Sequence, residues 1–216
     1  MDRDAASSRE RTRTALWLLL GGGILTLGGL PFPVNGRYWD AADDAGRIAA
    51  IDGDRLQFAV AFGLAALGTI GVGIGLALLA PALASASSSP GRRRHAAALV
   101  AAWMGWIGAL GGLVVLLHAL LATPEFFVDS IMFDVAVVAG GIAVMLAMII
   151  VGVLGWSAPP PKWATVVLVV GGPLGFIPEV QQIAVIVFAA ASIITLARRA
   201  SLDGTFVQPS LAEPSP

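Results

Sequence analysis

Residues 163–197 read WATVVLVVGGPLGFIPEVQQIAVIVFAAASIITLA, and the way this stretch folds decides the architecture of the whole chain. As one continuous α-helix it would be about 52 Å long, whereas the hydrocarbon core of a bilayer is about 30 Å thick. Its middle holds GGPLGFIPE, where Pro173, Pro178 and Glu179 oppose a continuous apolar helix. The stretch therefore predicts a tight hairpin between two helices, at 163–178 and 180–197.

The composition of the whole chain indicates a membrane protein. Of 216 residues, 57% are hydrophobic and 12% are charged, with a mean hydropathy of +0.84, whereas soluble domains carry about 25% charged residues. This excludes a soluble enzyme with a membrane tail. The absence of cysteine excludes disulfides, thiolate metal sites and cysteine nucleophiles. The net charge of −1 gives no reason to expect a nucleic-acid partner.

Four further apolar runs precede the hairpin, and Pro159-Pro160-Pro161 ends the last of them because proline cannot continue a helix. The sequence therefore predicts an all-α, polytopic transmembrane bundle of six spans within residues 14–199. The predicted spans are about 14–31, 57–80, 96–121, 131–156, 163–178 and 180–197. We also expect a cytoplasmic N-terminal tail at 1–13, an outer loop at 32–56, and a disordered cytoplasmic tail at 200–216.

The distribution of basic residues predicts the orientation of the bundle. With six spans, ten of the 13 Lys and Arg residues lie on the side that carries both termini. They are Arg3, Arg9, Arg11, Arg13, Arg92, Arg93, Arg94, Lys162, Arg198 and Arg199. The positive-inside rule places that side in the cytoplasm. A five-span chain would leave Arg198 and Arg199 outside, so the charges favour six spans.

The outer loop 32–56 carries the pattern of a surface helix. Ala41, Ala45, Ile48 and Ile51 recur at helical spacing with charged residues between them, which predicts a short amphipathic helix on the outer surface. Asp52-Gly53-Asp54 within this loop lacks the acidic spacing of a calcium-binding EF-hand.

Glycines recur at helical spacing in the second and third predicted spans. They are Gly68, Gly71 and Gly75 in the second span, and Gly105, Gly108 and Gly112 in the third. Small residues let helices approach closely in lipid, where apolar burial does not drive association. Because consecutive spans joined by a short loop are antiparallel neighbours, we predict that the two stripes face each other. The alternative is that they reflect only the general frequency of glycine in transmembrane helices.

One histidine and four carboxylates gather near the predicted outer ends of the spans. They are His118, Glu125, Asp129, Asp134 and Glu179. Such a cluster can bind a divalent cation or respond to pH, but its carboxylates have no metal-ligand spacing. The alternative role is structural: Thr123 caps a helix that begins at Pro124, and Asp134 suits the start of the next span. We favour the structural role and predict no catalytic, cofactor or metal site.

Two other pairs of side chains enter the predicted spans. Gln181 and Gln182 open the sixth span, where they either hydrogen-bond across helices or satisfy the broken backbone of the hairpin, and we favour the second role. Trp103 and Trp106 are predicted to face lipid.

The layout resembles a broad group of uncharacterised bacterial integral membrane proteins with six helices. The resemblance is carried by DAADDAGRIAAIDGDRLQFAV (40–60), by PPPKWATVVLVVGGPLGFIP (159–178), and by a closing helix that ends in basic residues. It implies a location in the bacterial inner (plasma) membrane and supplies no functional residue.

Three hypotheses for the function follow. The first is a non-enzymatic accessory or regulatory subunit that works with a membrane protein partner or as a homo-oligomer, because the spans lack midplane charges and the outer loop is acidic. The second is a carrier or channel for a neutral or apolar solute or lipid, which a central cavity opening between spans one, two and five would support and a solid helix-packed centre would reject. The third is a membrane enzyme in which His118 is the base.

Overall fold

The computed structural model describes residues 2–86, 91–158 and 160–205, and within these ranges all regular secondary structure is helical. The α-helices are α1 (Asp2–Gly29), α2 (Pro33–Trp39), α3 (Asp44–Gly53), α4 (Arg55–Ser85), α5 (Arg92–Leu121), α6 (Pro124–Asp129), α7 (Ile131–Gly155), α8 (Lys162–Gly171) and α9 (Pro178–Thr205). A 3-10 turn, Pro173–Phe176, joins α8 to α9. The predicted all-α class is confirmed.

Several helices are long and apolar enough to cross a membrane. Four described helices qualify by themselves: Arg55–Ser85, Arg92–Leu121, Ile131–Gly155 and Glu179–Ala200. A fifth span is obtained only when Arg9–Gly29 and Pro33–Trp39 are counted as one pair bent by 73°. Helix α8 has 10 residues, a rise of about 15 Å, so it does not qualify. The described residues thus show a multi-pass architecture of four or five such spans, against the six predicted.

Some predicted boundaries differ from the helix ends. Helix α4 continues through Pro81 to Ser85, where the missing amide hydrogen removes only one bond in the last turns. Helix α1 begins at Asp2 and α9 continues to Thr205. The segment 2–13, predicted as a cytoplasmic tail, and the segment 200–205, predicted as the start of a disordered one, are therefore helical. Residues 206–216, the rest of the tail predicted to be disordered, lie outside the described residues.

One end of the bundle is held together by Arg94, at the start of α5. Its guanidinium donates hydrogen bonds to the carbonyl oxygens of Leu83 on α4, at 3.3 Å, and of Leu154 on α7. It also donates a hydrogen bond to the hydroxyl oxygen of Ser157. Because the last carbonyls of a helix have no partner within it, this one side chain caps two helices. The ends of α4 and α7 and the start of α5 therefore meet at what we name the Arg94 end.

The other end is covered by the three short helices α2, α3 and α6. Asp43 caps α3 by accepting a hydrogen bond of 2.8 Å from the Gly46 amide, and Ala50 and Ile51 of this helix are buried. The segment predicted to be amphipathic therefore contains a helix, but its buried residues are Ala50 and Ile51, and Ala45 of the predicted apolar face is exposed. Helix α2 was not predicted. Its first turn is fixed by a hydrogen bond of 2.9 Å that the Val34 amide donates to the side-chain oxygen of Gln57.

Two apolar cores fill most of the bundle. The core toward the Arg94 end has these fully buried side chains: Leu16, Leu19, Leu76, Leu79, Met148, Val151, Leu168 and Phe188. The core at the opposite end is largely aromatic and contains Tyr38, Phe58, Phe62, Phe127 and Phe133. Edge-to-face contacts such as Phe58 with Phe127, whose centroids lie 4.9 Å apart, join α4 to α6.

The glycines lie in close helix contacts, but the predicted pairing of the two stripes is wrong. Gly68, Gly71 and Gly75 face α1, where their neighbours include backbone atoms of Gly22, Leu18 and Ala15. Gly105 and Gly112 face α4, and Gly108 faces Val144 and Gly140 on α7. The α4–α5 contact instead uses Gly73, which packs on Gly105 and Ala109. Since α4 lies between α1 and α5, it needs small residues on two faces, and the prediction assigned only one.

Replacement of Gly73 by alanine tests this contact. A Cβ at Gly73 would lie 2.6 Å from the backbone oxygen of Gly105, whereas one at Gly21 meets nothing within 4 Å. We expect Gly73→Ala to lower stability in detergent by about 1–3 kcal/mol. Gly21→Ala should be neutral or stabilising by about 0.5–1 kcal/mol, because alanine favours helix. The measurement is the melting temperature of both variants. A Gly73→Ala protein as stable as Gly21→Ala would refute the packing.

Candidate ligand cavity

A cavity of about 710 Å³ borders both cores. Val72 and Val144 from the first core line it, as do Phe62 and Phe133 from the second. Described residues of α1, α2, α4, α5, α7 and α9 line it, whereas none of α8, the start of the predicted fifth span, does. The cavity therefore does not open between spans one, two and five, where the carrier hypothesis expected it. Its volume lies within the range of about 300–1,000 Å³ that is usual for small-molecule sites.

The cavity results from the shortness of the α8–α9 hairpin. Helix α8 and the 3-10 turn together rise by about 23 Å, whereas the 25 residues of α7 rise by about 37 Å. The hairpin turns back beside the middle of α7, because Gly172 lies against Met145 and Ile149. The α7 residues that line the cavity, from Phe133 to Val144, all precede Met145. The cavity is therefore the space beside α7 that a longer α8 would have filled.

The first turns of α9 bring polar side chains to this cavity. Glu179, Gln181 and Gln182 line it, and the two glutamines are only 8% and 5% exposed. Within the described part of the chain, Nε2 of Gln181 and Oε1 of Gln182 have no hydrogen-bond partner. A buried polar atom without a partner costs about 1–3 kcal/mol. Each of these two atoms exposes less than 1 Å², so a ligand in the cavity would pair with them only after the two side chains turn toward it.

Three other polar side chains of the lining, Thr26, Thr69 and Asn35, use their donors on backbone carbonyls. The hydroxyl of Thr26 donates to the Gly22 carbonyl at 3.0 Å, and that of Thr69 donates to Ala65 at 2.9 Å. The amide of Asn35 donates to Gly29 at 2.6 Å and to Leu30 at 3.2 Å. Among the described residues, no Lys or Arg lines the cavity, and the exposed Glu179 is the one charged side chain that does. The cavity therefore suits an uncharged molecule better than an anion.

The structure does not bring the predicted outer polar cluster together. Of its five members, Glu179 lines the cavity, whereas His118 lines a separate open depression between α5 and α6. Glu125, Asp129 and Asp134 are exposed on α6 and α7. Among the described residues no three His, Asp or Glu side chains are placed to hold a metal ion.

His118 instead joins two helices. Its Nδ1 lies 2.8 Å from the carbonyl oxygen of Val114, which can only accept, so Nδ1 carries the proton of that bond. Its Nε2 lies 2.9 Å from the hydroxyl of Ser130, the residue before α7, and its ring stacks on Phe126. Both ring nitrogens are thus engaged with structural groups, which supports the structural alternative for this histidine over a catalytic base.

The helix-capping predictions near this histidine are confirmed. Thr123 accepts a hydrogen bond of 3.3 Å from the Phe126 amide, and Pro124 is the first residue of α6. Asp134 lies in the first turn of α7. Trp103 and Trp106 are 67% and 44% exposed, which agrees with the predicted lipid-facing position.

Comparisons of the chain with protein families, with curated proteins and with solved structures found no match. The interpretation of the cavity therefore depends on its geometry. The sequence pointed to Gln181 and Gln182 but not to Thr26, Thr69 or Asn35, because single Thr and Asn residues in apolar helices carry no recognisable pattern.

The substitution Gln182→Leu tests whether the side-chain amide oxygen of Gln182 is unpaired. We expect Gln182→Leu to raise the melting temperature in ligand-free detergent, because it removes a buried acceptor that has no partner. The matched control is Gln57→Leu, which should lower the melting temperature through a loss of about 1–3 kcal/mol, because the buried Val34 amide loses its acceptor. Destabilisation of both variants would show that the Gln182 amide is already satisfied.

Proposed function

We propose that the chain is a protein of the bacterial inner membrane with both termini in the cytoplasm, in which four spans, α1, α4, α5 and α7, are followed by the α8–α9 hairpin. The partition of basic residues supports this orientation. Arg9, Arg13, Ala86, Pro160 and Ala200 line one cavity at the Arg94 end, so the predicted cytoplasmic segments lie together. Whether the α8–α9 hairpin crosses fully or turns back inside the bilayer, it returns the chain to the side on which it started.

The natural absence of cysteine makes this topology simple to test. We expect a membrane-impermeant maleimide to label Asp52→Cys on intact cells, because Asp52 lies on the surface of α3. Arg93→Cys, exposed at the Arg94 end, should react only after the cells are opened. Labelling of Arg93→Cys on intact cells would reverse the proposed orientation.

For the activity, we propose a non-enzymatic carrier that takes an uncharged, partly apolar solute or lipid into the cavity from the outer side. The observation that carries this proposal is the pair of buried, unpartnered amides of Gln181 and Gln182 at one end of a mostly apolar cavity. A polar head with a donor and an acceptor fits against the amides, and an apolar body fits between α4 and α7. The packed core toward the Arg94 end argues against a continuous open channel.

A pair of amphiphiles with the same tail and different heads tests this activity. We expect decanamide to raise the melting temperature in lipid nanodiscs, because a ligand that binds the folded state stabilises it by mass action. Decanoate should have a smaller effect, since the cavity holds no basic side chain and Glu179 repels an anion. The stabilisation by decanamide should be lost in Gln182→Leu.

Thr195→Val is the control, because Thr195 lies on the same helix outside the cavity. Its hydroxyl donates a hydrogen bond to the carbonyl oxygen of Ala191, one turn earlier in that helix. It should keep the response to decanamide. An equal response of the native protein and Gln182→Leu, or a stronger response to decanoate, would contradict the proposal.

A second proposal is an accessory or regulatory subunit of a membrane complex. It is supported by the acidic surface of the outer loop, where Asp43, Asp44 and Asp52 are exposed. Only Asp44 is paired there, at 3.3 Å from Arg47, as far as the described residues show. Crosslinking in native membranes tests it: recovery of the chain alone, as a monomer, would count against a subunit role.

A further inference from the structure

A second cavity of about 710 Å³ lies at the Arg94 end, between α1, α4 and α9. Its floor is apolar, because Leu16 and Leu79 line it and are almost fully buried. Trp17, Ile193 and Leu196 line its sides. We name this cavity the inner groove, and it shares no lining residue with the cavity between the two cores.

Two arginines of α1 stand at the polar end of the inner groove. Arg9 and Arg13 both line it and are exposed, and their spacing of four residues puts them on one face of the helix. Among the side chains that the structure describes, neither has an ion-pair partner and no Asp or Glu lines the groove. The described part of the groove thus joins two positive charges to an apolar slot.

This combination matches the chemistry of a lipid that carries net negative charge. Guanidinium groups bind phosphate oxygens through charge-assisted hydrogen bonds. Basic pockets between transmembrane helices on the cytoplasmic side are suited to acidic headgroups. A free phosphate ion would use only the arginines and leave the apolar floor uncovered, whereas a phospholipid would cover both parts.

We propose that the inner groove is a binding site for an anionic phospholipid. The phosphate lies between Arg9 and Arg13, and one acyl chain lies along Leu16, Leu79 and Ile193. This site is independent of the proposed carrier activity, because it lies at the other end of the bundle and uses different residues.

Native mass spectrometry of the detergent-purified protein tests the site. With equal amounts of phosphatidylglycerol and phosphatidylcholine, we expect the first bound lipid to be phosphatidylglycerol by several-fold. The double variant Arg9→Gln/Arg13→Gln should lose this preference. Arg92→Gln/Arg93→Gln should keep it, because it removes the same charge from exposed positions at the same end that do not line the groove.

A second variant separates groove binding from general attraction to charge. Ala82→Trp fills the groove while leaving both arginines, so it should also lose the bound phosphatidylglycerol. Where Ala82→Trp does not fold, Ala197→Trp at another lining position serves the same purpose. The proposal is overturned by equal binding of the two lipids, by retention of the lipid in a folded tryptophan variant, by equal loss in both arginine pairs, or by displacement with equimolar inorganic phosphate.

Discussion

Close backbone contact between helices at glycine is the constraint on which the rest of the structure depends. In lipid, apolar side chains gain little by leaving one apolar environment for another, so helices associate where their backbones can approach. Helix α4 meets α1 through Gly68 and Gly71, and meets α5 through Gly73. Helix α5 then meets α7 through Gly108 and Gly111. These contacts fix a row of helices that the α8–α9 hairpin closes.

The closure is incomplete, and this incompleteness produces the candidate site. Toward the Arg94 end, side chains such as Met148 and Phe188 fill the interior. Beyond the turn of the hairpin no helix takes the place of α8, and the first turns of α9 bring two buried amides to the resulting space. A bundle selected only for stability would place apolar side chains there, because unpaired buried amides are costly. This cost is the observation on which the proposed binding of a solute rests.

Features that depend on local chemistry could be predicted from the sequence. Thr123 and the proline run after Trp156 each signal a helix boundary within a few residues. The face that a glycine presents could not be predicted, because it depends on whether α4 has one neighbour or two. Likewise Gln181 was recognised as polar within a span, but its lack of a partner follows from where α8 ends. His118 and Ser130 meet only through the fold.

The central claim is that the short α8–α9 hairpin leaves an open cavity beside α7. Its most direct test is the accessibility of spin labels along α7 in a lipid bilayer. Val137 and Gly141 line the cavity, whereas Val138 and Ile142 are exposed outside it. If the cavity is open to water, a water-soluble nickel chelate relaxes labels at 137 and 141. Oxygen, which is concentrated in lipid, relaxes those at 138 and 142. Strong oxygen relaxation with no effect of nickel at all four positions would show that no water-accessible cavity exists, and would contradict the account.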